Sequence, residues 1–265
     1  MRPPAWDATR AQIVEDVYAE WFEHLAGTPG LEVHCDPDIA WKVSPAAAWS
    51  NCGVRLRLNE RDARKRLDRI LARYHENGRG AGFWVGPAAE PANLEEILKW
   101  KALRCRKYFP AMYCDLRGES PRLEAKVPLE LAVVEDYDIF RRVPHPSLGR
   151  ISTPIRRLGL EAQRHLSGRS PRRAWELMAQ CDGAPAGICT LFLGRRHAGL
   201  FDVGVLEPLR NRGIGRALVS HACAFAKAHG AEGVVLIATN AGYRVYEHAG
   251  FREVARMGFW YTAKP

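Results

Sequence analysis

The chain has 265 residues, 47% of them hydrophobic, 26% charged and 9% aromatic. This supplies a core and excludes wholesale disorder, and the length suits one large domain or two of about 130 residues. The net charge of +9 comes from 31 Arg and only 8 Lys spread along the chain; with no basic helix, zinc finger or aromatic–basic strand motif, nucleic acid is not the expected partner.

The opening MRPPAWDATR holds no apolar run and is not expected to be a secretory leader. Asp7 to Leu25 places Ile13, Val14, Val17, Tyr18, Trp21, Phe22 and Leu25 at helical spacing, and Gly27 to Gly30 stops it. Short strands are expected near 38–42 and 53–58, separated by a Pro/Ala loop. A second helix over 61–75 carries Leu67, Ile70, Leu71 and Tyr74 on one face and ends at Gly78-Arg79-Gly80. GFWVGP (82–87) reads as a buried strand, the segment from Asn93 as a helix, and 111–116 as a further strand. The turn-rich stretch from Gly118 to Lys126 marks the expected domain boundary.

A strand in VPLELAVVED follows, then a helix near Tyr137–Val143, two prolines flanking His145, and a helix over 155–166. Residues 175–180 and 187–193 form a hairpin about Asp182-Gly183, and 200–206 continues the meander. A helix (213–229), a strand (234–239), a helix (243–248) and a last strand (251–261) complete the chain. The order strand, helix, Gly break, strand, helix occurs in both halves (53–99 and 200–248), which suggests duplication of one α/β unit. No segment has the roughly 18 uninterrupted apolar residues of a membrane span, so a cytoplasmic protein is expected. The seven cysteines lie at least eight positions apart, with no metal-ligand spacing; no metal site is expected, and Cys189 and Cys223, in apolar patterns, read as core thiols. Trp41, Trp49 and Trp84 read as core, His145 as a turn residue, and Arg156-Arg157 and Arg172-Arg173 as solvated faces.

The most informative segment is 200–230. An apolar strand runs into Arg210-Asn211-Arg212-Gly213-Ile214-Gly215-Arg216, where a helix begins. Gly213 and Gly215 let the backbone turn and approach a ligand without Cβ interference. Exposed N–H groups and the helix dipole favour an anion there, and the three Arg side chains add charge-assisted contacts. This is a pyrophosphate cradle. It is not a Walker A loop, since no Lys-Ser or Lys-Thr follows Gly215, nor a dinucleotide fingerprint, since Leu218 stands where the third glycine belongs.

The run from Arg210 to Gly215 resembles the R/Q-x-x-G-x-G/A motif of the GNAT acetyltransferase superfamily. Tyr246-Glu-His-Ala-Gly-Phe251, 31 residues after Gly215, resembles the family's other recurrent motif. The resemblance implies an α/β fold of two tandem GNAT-like domains, each a mixed twisted sheet flanked by helices: a degenerate N-terminal domain over 1–125 and a catalytic domain over 126–265. The run GFWVGPAAEPANLEEIL is similar to the leading domain of tandem members. Asn59-Glu-Arg-Asp-Ala-Arg-Lys holds no glycine, so one cofactor site is expected, in the second half.

The resemblance further implies that acetyl-CoA is the co-substrate. Val203, Gly204 and Val205 would offer backbone groups to its pantetheine arm and stabilise the oxyanion. Residues Arg210, Asn211, Arg212, Gly213, Ile214, Gly215 and Arg216 would hold the pyrophosphate. Asn240 would form the other wall, although it stands one place later than the family's asparagine. Transfer is direct to a primary amine of a small molecule or peptide, which must first lose a proton. Tyr246 is the implied proton donor to the departing thiolate. Asp202 is the leading base, with Glu207, His197 and a base acting through water as alternatives. The first half would shape the acceptor cleft or make an oligomer contact, as in a homodimer. Two other readings stay open: a non-catalytic acyl-CoA-binding sensor, and an acyltransferase moving a larger group or acting on an alcohol.

Overall fold

The computed structural model describes residues 7–44, 51–76, 80–118, 124–136 and 153–262, with residues 153–157 and 160 described by their backbone alone. The expectations for Trp49, Gly78-Arg79, the helix 137–143 and His145, and those for the Arg156-Arg157 side chains, lie outside the described residues. The chain divides into two compact units, 1–111 with 253–265, and 112–252.

In the first unit, α1 (Ala8–Leu25) opens on Asp7, whose Oδ1 accepts the Arg10 N–H at 2.9 Å, a side-chain N-cap. The helix buries Val14, Val17 and Phe22, and also Glu15, which is 1% exposed and ion-paired with Arg57 at 2.7 Å. The strands are β1 (Glu32–Cys35), β2 (Ala40–Val43), β3 (Cys52–Val54), β4 (Gly82–Val85), the first nine residues of β5 (Leu103–Asp115) and, from the end of the chain, β11 (Arg252–Thr262). Their order is β1-β2-β3-β4-β11-β5. The pairs β1/β2 and β2/β3 are antiparallel, β3/β4 is parallel across α2 (Ala63–Glu76), and β4/β11 is antiparallel. The expected apolar face of α2 is buried with Ile39, Leu56, Phe83 and Trp260, and α3 (Leu94–Trp100) adds Leu94, Ile97 and Leu98.

Three features differ from the sequence reading. β1 was not anticipated, and β5 begins at Leu103 rather than near 111, because Arg104, Arg106 and Lys107 face solvent and break the apolar alternation. The last strand belongs with the first unit, whereas the sequence reading grouped it with the second. Pairing with β4 decides this, through Gly258↔Val85 to Tyr261↔Gly82, and local sequence carries no record of so distant a partner.

In the second unit, the end of β5 is followed by β6 (Glu130–Val133), α4 (Thr153–Ser167), β7 (Ala174–Cys181), β8 (Ala184–Leu193), β9 (Ala198–Val205), α5 (Ile214–Ala228), β10 (Gly233–Ile237) and α6 (Tyr243–His248). The strand order is β5-β10-β9-β8-β7-β6. Here too an antiparallel run (β7/β8, β8/β9) precedes a parallel pair (β9/β10) joined by a helix, the succession seen in the first unit. The core packs Leu177, Cys189, Leu191 and Leu200 against Leu218, Val219, Ala222 and Cys223 of α5. Cys189 and Cys223 are therefore core thiols, and all seven cysteines are free. Lys126, expected in a linker, instead donates its N–H to the Arg212 carbonyl at 2.9 Å.

Candidate active site

The site is built on β9. Thr190 of β8 faces Phe201 and Ile188 faces Gly204, so Asp202 and Val203 together oppose Cys189. This is a β-bulge, and Asp202 adopts φ 51°, a left-handed conformation costly for a residue with a Cβ. On the other edge, β9 and β10 pair only at Val234↔Ala198 and Val235↔Gly199. Beyond these residues the strands part, which leaves Val203–Val205 without a partner on that side and opens a cleft.

The cleft has a volume of about 610 Å³, within the roughly 300–1,000 Å³ of ligand sites. Val203, Gly204 and Val205 form one wall; Arg210, Asn211, Gly213, Ile214, Gly215 and Arg216 close one end; Thr239, Ala241, Gly242 and α6 form the other wall. Gly213 caps α5 at φ 82°, and a Cβ there would lie 3.1 Å from Ala125 Cα and 3.3 Å from Glu124 O. Glycine is required both by the backbone conformation and by the space. At Gly215 a Cβ would meet Val205 and Val245 only at 3.6 and 3.8 Å; protein packing does not demand this glycine, and the room it leaves belongs to the cleft. The first N–H groups of α5 have no acceptor within the helix, and the positive end of its dipole lies here. Arg210 Nε donates to the Val205 carbonyl at 3.2 Å, which ties the guanidinium to the end of β9.

Tyr246 faces the same cleft. α6 ends in a left-handed Gly250 (φ 88°), with the Phe251 N–H bonded to Tyr246 O at 3.0 Å and the Gly250 N–H to Glu247 O at 3.1 Å. That pattern is a Schellman stop, and its apolar contact is the Phe251 ring, 5.9 Å from the Tyr246 ring at 61°. Y-x-x-x-G-F is thus a helix terminator that fixes the tyrosine. Gly242 completes the seat, since a Cβ there would stand 2.8 Å from Tyr246 Cε2. Burial pushes the Tyr246 hydroxyl pKa well up, and Cys189 and Asp202 add to the effect, so it stays protonated through the neutral range.

Some expected residues stand elsewhere. Arg212 and Asn240 are exposed and do not line the cleft; Thr239 and Ala241 take the place expected for Asn240. Asp202 sits in the bulge, outside the lining. His197 stands at the other end of β9, its ring 5.8 Å from that of Tyr113, and exposed Glu207 belongs to a 3-10 turn. Arg172 pairs with Glu135, and Arg173 donates to the Leu193 carbonyl. The sequence reading missed Arg244 and His248, which line the cleft one helical turn apart on α6. It also missed Glu176 of β7, a fully buried carboxyl pushed up to about 8 mainly by burial. A lone glutamate in a strand carries no sequence signal for burial.

The equivalent place in the first unit is closed. Past β3 the strands stay together, with Leu58 N–H bonded to Glu90 O at 3.1 Å and Glu90 N–H to Leu56 O at 2.9 Å. Asn59 O and Oδ1 accept N–H groups at the entry to α2 (Ala63 at 2.8 Å and Arg61 at 2.9 Å), which consumes donors that the glycine loop of the second unit leaves open. Among the described residues no group of His, Cys, Asp and Glu could hold a metal, and no helix is long and apolar enough to cross a membrane.

The cleft is thus a parallel strand pair that parts beside a glycine-capped helix, with a tyrosine across the gap. Residues 141–251 match the model of the acetyltransferase (GNAT) family, and the chain carries a GNAT domain there. Over nearly its whole length the chain has the fold of tandem GNAT proteins. It is similar to a GCN5-related N-acetyltransferase from Kribbella flavida, with TM-score 0.68, 13% identity and 96% of each chain covered. A tandem GNAT protein from the clavulanic acid biosynthesis pathway gives TM-score 0.63 and 14% identity, over 95% of this chain and 96% of that one. A GCN5-related N-acetyltransferase from Sphaerobacter thermophilus gives 0.60 and 17%, over 95% and 90%. A search of curated proteins finds no match.

Proposed function

We propose that the second unit is an acetyl-CoA-dependent N-acetyltransferase that transfers the acetyl group directly to a primary amine of a small molecule or peptide, and that the first unit is a GNAT-like domain without its own cofactor site. The observation that carries this reading is the parting of β9 from β10 at Val203–Val205, beside the N-terminus of α5 and opposite Tyr246. The free strand edge suits the amide groups of a pantetheine arm, and the open N–H groups of Ile214–Arg216 with Arg210 suit a pyrophosphate. The co-substrate supplies an activated thioester. Tyr246, kept protonated by burial, supplies a proton to the departing sulfur.

Thermal unfolding with and without acetyl-CoA, followed by an amine screen read by CoA thiol release, tests the reading. A ligand at about 100 times its Kd adds about 2.7 kcal/mol of stability. Stabilisation and CoA release together establish the activity. Stabilisation without release by any amine identifies an acyl-CoA-binding protein instead, and release only with longer acyl-CoAs identifies a transferase of larger groups.

A further inference from the structure

Glu176 is 0% exposed, as is Thr190. The two are direct partners across β7 and β8, and Thr190 is in turn the partner of Phe201 on β9, the residue just before the bulge. Directly paired residues share a face, so Glu176, Thr190 and Phe201 form a row crossing three strands to the point where β9 leaves its register. Glu176 Oε1 accepts hydrogen bonds from Thr190 Oγ1 and from Gln163 Nε2 of α4, while Glu176 Oε2 has no hydrogen-bond partner. Burying a carboxyl with one oxygen unmatched and, among the described residues, no cation paired to it is expensive, and an apolar residue would avoid the cost. Around it, α4 presents neutral Gln163 and β8 neutral Thr190, with the Cys189 thiol, pushed up by burial and further by Glu176, at the next position. β6 is followed by Val134, whose N–H bonds to the Glu176 carbonyl at 2.8 Å. Among the described residues the charge acting on it is Asp202, from the bulge, which also acts on Tyr246.

We propose that Glu176 is a positioning residue for proton removal: through the Thr190 hydroxyl and water it takes the proton that the ammonium acceptor must lose before attack. The inference rests on the acetyltransferase reading above. In balance, R–NH3⁺ gives one proton to the Glu176 carboxylate, which becomes the acid. The amine nitrogen then bonds to the acyl carbon as the C–S bond breaks and its electron pair goes to sulfur. The sulfur takes a proton from Tyr246, which recovers one from the nitrogen, and Glu176 releases its proton to solvent. A base whose pKa is near 8 is well matched to this task near neutral pH.

The test is the pH profile of kcat/KM, by CoA release from acetyl-CoA with the best amine from the wild-type screen, for wild type, Glu176→Gln, Thr190→Val and Thr190→Ser. A rise through about pH 8 is expected in wild type. In Glu176→Gln that limb should be lost, with a fall of about 10²-fold or more at pH 8. Thr190→Val should behave likewise and Thr190→Ser should recover, which separates the relay from mere packing. Infrared difference spectra of the full chain without ligand should show a protonated carboxyl band that titrates near pH 8 and is absent in Glu176→Gln. An unchanged pH profile in Glu176→Gln, or a band titrating near 4.5, overturns the inference and leaves the acetyltransferase reading standing. A wild type that releases no CoA with any amine overturns both.

Discussion

The two glycines of the cradle make opposite predictions. Gly213 holds a left-handed conformation (φ 82°) with backbone atoms 3.1–3.3 Å from where a Cβ would stand. Gly213→Ala should therefore cost about 1–2 kcal/mol for the conformation alone, and more for displacing residues 124–126. At about 2–4 °C per kcal/mol for a chain of this size, the unfolding midpoint falls by several degrees. Gly213→Asp adds a carboxylate beside the pyrophosphate site. At about 5 Å and an effective dielectric of about 20, the repulsion is about 3 kcal/mol, or roughly two orders of magnitude in Kd. Gly215 lies inside the first turn of α5, where alanine is favoured by up to about 1 kcal/mol, and its Cβ would touch protein only at 3.6–3.8 Å. Gly215→Ala should thus unfold no earlier than wild type yet bind acetyl-CoA at least about tenfold more weakly, because the methyl occupies the space of the ligand. Calorimetric titration with acetyl-CoA and thermal unfolding of the free proteins read the two effects separately. A folded Gly213→Asp with wild-type affinity, or a Gly215→Ala that binds as wild type, refutes the placement of the cradle.

Three further outcomes are expected. Tyr246→Phe should lower kcat by about 10²-fold with little change in acetyl-CoA affinity, and an unaltered rate removes Tyr246 as proton donor. Phe251→Ala, at a side chain 2% exposed, should cost about 3–5 kcal/mol in denaturant unfolding and loosen the helix stop beneath Tyr246; a loss below about 1 kcal/mol would contradict that packing. Glu176 is raised from 4.5 to about 8 in the folded protein, so the fold favours its neutral form. Its contribution is complete below about pH 4.5 and is lost as pH rises to about 8. Wild type should therefore lose stability relative to Glu176→Gln across that range, and a constant difference would show that the carboxyl ionises normally.

The readable part of this chain is local. Gly213 must be glycine because its own backbone is left-handed, and Gly250 because it terminates α6, so each leaves a mark at a fixed place beside apolar runs with clear periods. Those marks suffice to place the glycine loop at the head of α5 and Tyr246 on the helix that follows. Only the tertiary structure decides the rest. The parting of β9 from β10, the bulge at Asp202 and the pairing of Glu176 with Thr190 depend on strand register, which many side chains set together and no single residue reports. The same holds for β11, which lies last in sequence yet pairs with β4 through residues more than 170 positions earlier. Hydrogen bonds within a helix or turn join near neighbours and so write themselves into short motifs. Those between strands join residues that the sequence keeps far apart, and through them a lone glutamate in β7 becomes a buried carboxyl held by Thr190 of the next strand.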